Sequence, residues 1–208
     1  MYALALELLH DSKKALFACA LYVFNRQAVT HFMLIRMYML LTLLTVFLAL
    51  LVAVQFVTRS MGQYVTGSLV NLILIASGLL CGLWGGLAVA LLSPVCAFLI
   101  GIGPAFPQIV PAIMLGNAVI VLVWHLIAGG QNTRLPGYLL AAAAGALAKF
   151  VVLYLVIVKW LVPMVLTLNE KQTAMLSASF SFPQLITAAI GGALAILLVP
   201  PLRRALRV

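Results

Sequence analysis

The stretch Cys81–Trp124, CGLWGGLAVALLSPVCAFLIGIGPAFPQIVPAIMLGNAVIVLVW, decides the fold. One apolar segment opens with Gly82, Gly85 and Gly86 and then meets Pro94. A Gly/Pro break follows at Gly101, Gly103, Pro104, Pro107 and Pro111. A second apolar segment carries the pair Gly116-Asn117 deep inside it. Apolar residues are at home in a bilayer. An amide about two turns inside a hydrophobic segment is not, because an unpaired amide in hydrocarbon is costly. The stretch reads as bent or broken membrane helices that hold a polar site between them.

Composition extends this reading to the whole chain. Of 208 residues, 66% are hydrophobic and 7% charged, against about 25% charged in soluble domains. Apolar runs of about 20 residues indicate helices rather than barrel strands. The class is an all-α integral membrane protein. A net charge of +9 in a soluble protein would suggest nucleic acid. In a bilayer Lys and Arg mark cytoplasmic loops instead, so no nucleic-acid partner is expected. Cys19, Cys81 and Cys96 form no CxxC pair and have no metal-type His spacing. They read as packing thiols, and neither a metal nor a cofactor is expected.

Working outward, residues 1–32 form an arm unlike the rest, and residues 33–208 form the membrane domain. In the arm, Glu7, His10, Asp11 and Lys14 share one helical face, with Leu9, Leu16 and Ala20 towards the other. Such a segment suits a membrane surface. The run Ala15–Phe24 is too short to span. Lys13-Lys14 ahead of Ala18-Cys19-Ala20 also has the outline of a signal peptide. A translation start at Met33 would leave the arm out altogether.

Six spans are expected: Leu34–Val57, Gly67–Gly82, Trp84–Ile102, Ile109–Ala128, Gly137–Val165 and Phe182–Leu198. The fifth is long enough to tilt or to bend before Pro163, and Pro200-Pro201 ends the sixth. With the N-terminus inside, Lys13, Lys14, Arg26, Arg36, Arg134, Arg203, Arg204 and Arg207 are cytoplasmic, and Arg59 and Lys171 are outside. This asymmetry, with an even number of spans, puts both termini in the cytoplasm.

Ala49 and Ala53 stand four apart among bulky neighbours on the first span, a spacing that admits a close helix partner or serves internal packing. Asn71, Asn117, Lys149 and Gln184 are the polar residues inside spans two, four, five and six. The topology puts Asn71 and Gln184 just below the outer surface. Asn117 lies about 12 Å in, at about 1.5 Å per residue, and Lys149 near mid-membrane. All four can face one cavity open to the outside. No span carries a carboxylate to neutralise Lys149: either it snorkels or is neutral, or it meets a backbone carbonyl or a carboxylate or phosphate on a ligand, and its mid-span depth favours a functional role. Asn71 suits helix–helix bonding as well as ligand contact. Trp84, Trp124, Tyr138 and Trp160 near span ends read as an interfacial belt. His125 reads as a hydrogen-bonded structural residue.

The chain's acids are Glu7, Asp11 and Glu170. No span offers a carboxylate pair for acid–base or metal-assisted catalysis, and no GxSxG, HExxH or Walker A sequence occurs. The chain is not expected to be an enzyme. A proton- or sodium-coupled carrier usually needs an intramembrane acid, and here there is none. Energy for transport would come from a partner.

From Met33 to Leu206 the chain resembles the substrate-binding S components of energy-coupling factor (ECF) vitamin transporters. The likeness rests on Ala49 and Ala53 in the first span, GSLVN at Gly67–Asn71, GLWGG at Gly82–Gly86 and PAIMLGN at Pro111–Asn117. It continues through AKF at Ala148–Phe150 and FPQLITAAIGGALA at Phe182–Ala195. It implies a six-helix subunit of a bacterial cell membrane that captures a vitamin or related small molecule from outside. It also implies docking on a transmembrane T component driven by two cytoplasmic ATPase subunits. In that family a small-xxx-small pattern on the first helix meets the T component, which corresponds to Ala49 and Ala53. The family holds its ligand near the outer side by the last three helices and outer loops, which agrees with Asn117, Lys149 and Gln184. The arm at 1–32 departs from the family pattern. A different class remains open: a membrane scaffold of the MreD-like cell-shape type, against which the buried polar set argues.

Overall fold

In lipid a chain must bond its backbone polar groups within itself, so long apolar runs become helices. The computed structural model describes residues 7, 11–23, 26–104, 106–130, 133–166 and 168–206. Leu9, His10 and Arg207 lie outside the described residues. Every regular element among those described is a helix. The chain divides into two compact units, residues 1–42 and residues 43–208.

The first unit holds α1 (Ser12–Val23) and the beginning of α2 (Arg26–Thr58). Asp11 starts α1: its Oδ1 accepts from the Lys13 backbone N–H at 2.9 Å, satisfying a donor that has no partner within the helix.

The second unit continues with α3 (Gln63–Leu80), α4 (Gly82–Leu99), α5 (Val110–Ala128) and α6 (Leu135–Leu153). It ends with α7 (Glu170–Ser179) and α8 (Phe182–Leu206). Six helices among the described residues are long and apolar enough to cross a membrane, as expected from the apolar runs. Beyond α6 the fifth span runs on through a π-helical stretch, Tyr154–Leu161, to Val162–Met164. There the Val162 N–H donates to the Ile157 carbonyl, five residues back. The wide turn comes just before Pro163, where a missing N–H disturbs the regular ladder.

Glycine sets how closely these helices approach. A Cβ on Gly86 of α4 would lie 2.4 Å from the Gly78 Cα of α3. A Cβ on Gly191 of α8 would lie 2.6 Å from the Asn71 Cβ. Leu74, Ile75, Ile120, Val121 and Trp124 fill an apolar core among these helices. Leu51 of α2 enters that core, while the Ala49, Ala53 and Phe56 face of the same helix stays exposed.

Three expectations need correction. Trp84 and Trp160 are exposed, as belt residues should be, but Trp124 is 1% exposed and Tyr138 is buried beside it. Room for the indole comes from Gly145 and Gly192, where side chains would collide with it. The sixth span does not end at Pro200-Pro201; α8 continues to Leu206. Proline allows helical φ, and the Arg203 guanidinium holds the last turn in place through bonds to four backbone carbonyls, those of Leu79, Ala128, Gly129 and Gly130. Asn71 is not just below the surface. α3 begins at Gln63, so Asn71 stands about 12 Å along it, at 1.5 Å per residue.

Smaller expectations hold. His125 Nδ1 lies 3.1 Å from the Gly78 carbonyl oxygen. The cysteines are free and half-buried. Burial pushes the Cys81 thiol, between α3 and α4, up to about 11, which keeps it protonated and inert near neutral pH.

Candidate functional site

Three helices bring their polar residues to one point. Lys149 of α6 donates from Nζ to Asn71 Oδ1 of α3 at 2.6 Å and to Asn117 Oδ1 of α5 at 2.8 Å. Lys149 is 4% exposed, and both asparagines are buried. Asn71 Nδ2 donates onward to Thr187 Oγ1 of α8 at 3.5 Å. The close α3–α8 approach at Gly191 sets the position of Asn71. The carbonyl or anion expected beside Lys149 is thus replaced, on the protein side, by two side-chain amides. Amide oxygens can accept from the Lys149 Nζ but carry no charge, so the two asparagines solvate it without supplying a counter-charge.

The cluster lines a cavity of ≈ 430 Å³, within the size range of small-molecule sites. All four expected residues, Asn71, Asn117, Lys149 and Gln184, line it. They do not meet at one point. Gln184 sits at the mouth, where its Nε2 donates to the Ser179 carbonyl at 3.2 Å. Gln63 Nε2 donates to the same carbonyl at 2.6 Å. Ser179 ends α7, and α7 contributes Gln172, Met175 and Leu176 to the wall. Asn169 starts α7 with a capping box, its Oδ1 accepting from the Gln172 N–H at 2.8 Å and its own N–H donating to Gln172 Oε1 at 3.2 Å. Asn-x-x-Gln is the signal that could have revealed this helix in the sequence. Ser93 of α4 also lines the cavity and was not anticipated.

No carboxylate is among the described residues that line the cavity. Its chemistry is one cation, several amides and hydroxyls, and apolar walls from Val70, Ile113 and Leu153. That arrangement can bind and orient an oxygen-bearing small molecule. It offers no general acid–base pair to transform one.

A second, apolar depression of ≈ 620 Å³ runs between α2 and α4. Ala49 and Ala53 line it together with Leu48, Cys96 and Ile100.

No curated protein and no solved structure matches the chain. A protein family does: residues 42–203 match the family described as ECF transporter, substrate-specific component. The matched range holds the cavity and the Ala49/Ala53 groove, and the scaffold alternative finds no support. This multi-pass membrane chain belongs to the substrate-specific components of ECF transporters, and is a substrate-specific transporter subunit.

Proposed function

We propose that the chain captures a vitamin or related small molecule from outside a bacterial cell and hands it to a T component with two ATPase subunits. The observation that carries the reading is the buried Lys149 on the wall of a cavity with no carboxylate among its described lining residues. The substrate supplies the missing negative or strongly polar oxygen, a carboxylate, phosphate or carbonyl, and Asn71, Asn117 and Gln184 fix its orientation. Mass spectrometry of small molecules released from protein purified in mild detergent tests the proposal. An oxygen-bearing metabolite in near-stoichiometric amount is expected, and none would remove the reading.

Charge supports the direction of capture. Arg203 reaches the carbonyls of Leu79 and Ala128, which puts the ends of α3 and α5 together with Arg203 at one end of the bundle. Arg134 precedes α6 at that same end; Arg59 follows α2 and Lys171 lies in the first turn of α7, both at the cavity end. The positive-inside rule then turns the cavity outward. A cysteine at position 171 should react with an impermeant maleimide added outside, and one at position 134 should not. The reverse labelling pattern would invert the protein.

The groove at Ala49 and Ala53 suits a helix of the T component. Small residues let a second backbone approach, and lipid alone gives little reason for such a dent. Ala49→Leu with Ala53→Leu fills it with two branched side chains. The double variant should lose transport and T-component assembly and keep substrate affinity. Normal transport would remove this role.

A further inference from the structure

Five serine and threonine side chains are buried among the described residues: Thr58, Ser68, Ser77, Ser93 and Thr187. Four donate to a backbone carbonyl of their own helix: Thr58 to Val54, Ser68 to Tyr64, Ser77 to Leu74 and Thr187 to Gln184. That is the ordinary way for a hydroxyl to satisfy itself in a helix. Ser93 does not follow it. It is 1% exposed, its Oγ has no hydrogen-bond partner, and its side chain lines the cavity.

An acceptor stands close by in sequence. Pro94 has no N–H, which leaves the Ala90 carbonyl, three residues behind Ser93, without its helix donor. The hydroxyl forms no bond to it. A hydroxyl kept inside a membrane protein without a partner is costly, and the cost falls away when a partner arrives.

We infer that Ser93 is a second anchoring point for the substrate, and that the substrate is polar at two places. One oxygen group meets Lys149; a second group that can hydrogen-bond, such as a hydroxyl, amide, carbonyl or ring nitrogen, meets Ser93. The inference rests on the reading of the cavity as the substrate site. Lys149 with its two asparagines comes from α6, α3 and α5, and Ser93 comes from α4. The polar anchors therefore lie on different helices, with Val70, Ile102, Ile113 and Leu153 supplying apolar wall. A simple anion would meet Lys149 and leave Ser93 unpaired. Rejecting a molecule that leaves a buried polar group unpaired is a strong form of selectivity.

The test uses the compound extracted from the wild-type protein, identified by mass spectrometry and titrated into purified wild type, Ser93→Ala and Lys149→Met. Ser93→Ala should bind it about five- to tenfold more weakly, the loss of one neutral hydrogen bond. The same variant, emptied of compound, should melt at the wild-type temperature or higher, because an unpaired buried hydroxyl is gone. An analogue of the compound lacking its second polar group should bind wild type and Ser93→Ala equally. Unchanged affinity of Ser93→Ala for the compound, with Lys149→Met weakened, overturns the role of Ser93 and leaves the substrate cavity standing. A lower melting temperature with unchanged affinity makes Ser93 structural. A wild-type protein that yields no compound overturns both readings together.

Discussion

Lys149→Met should weaken substrate binding roughly ten- to a hundredfold, since a hydrogen bond to a charged group contributes about 1.5–3 kcal/mol. The ammonium is buried and holds two neutral acceptors, Asn71 and Asn117. Its charge is unmatched by anything on the cavity wall. A substrate oxygen therefore gains a charge-assisted bond in a medium where such bonds are strong. Methionine is unbranched, only one atom shorter than lysine and needs no solvation, so the bundle should still fold. Its stability changes little because two effects oppose each other. An unmatched charge leaves the membrane, and two amide oxygens lose their donor at about 1–3 kcal/mol each, less where cavity water reaches them.

Asn117→Leu differs in kind. It keeps the charge and removes half of its solvation, so it should cost more stability than Lys149→Met and less affinity, around tenfold. The effects of the two substitutions together should be less than their sum, because they share one interaction. Titration calorimetry with the compound released from wild type, paired with melting curves in one detergent, separates these outcomes. Unchanged affinity in Lys149→Met, or loss of folding in place of binding, would return Lys149 to a structural role.

Arg203→Met should lower stability by about 2–4 kcal/mol, a melting shift on the order of 5–15 °C for a chain of this length. The Arg203 guanidinium donates to the carbonyls of Leu79, Ala128, Gly129 and Gly130 at 3.0 to 3.1 Å. Those carbonyls close the C-terminal ends of α3 and α5, where orphan acceptors and the negative end of the helix dipole favour a cation. Arg203→Lys should not restore the loss, because one ammonium cannot reach acceptors spread around a planar fork. Substrate affinity should stay near wild type, since the cavity lies at the other end. A variant that melts with wild type would show the contacts to be incidental.

Much of this architecture could be read from the chain, for physical reasons. A span announces itself because hydrocarbon tolerates so few polar residues, and the same intolerance made Asn117 and Lys149 conspicuous. Depth was less secure. Placing the second span's start at Gly67 instead of Gln63 put Asn71 near the surface, when it stands beside Lys149. Trp124 and Tyr138 depart from the interfacial belt because position along a span gives height and not direction; Gly145 and Gly192 on neighbouring helices leave room for the Trp124 indole inside the bundle. In the sequence Arg203 shows only as a topology marker, since the carbonyls it bonds are invisible in a list of side chains. Ser93 could not stand out at all. A serine in a membrane helix is ordinarily satisfied by its own backbone, and only the fold reveals one that is not.

The Arg203 knot and the α7 rim have a consequence for what the subunit can do by itself. The end of the bundle at Arg203 is tied across α3, α5 and α8 and plugged by Leu74, Ile75, Val121 and Trp124. At the other end α7 lines the cavity, and the Ser179 carbonyl that ends it accepts from both Gln63 and Gln184. If the cavity opens outward alone, as proposed, it exchanges its contents with one compartment. Left alone, such a protein comes to equilibrium with the solution it faces, and its filling follows a simple saturation curve. However tightly it binds, it carries no net current. Flux enters only when something outside the chain does work on the full vessel, so affinity and transport rate are separately adjustable quantities.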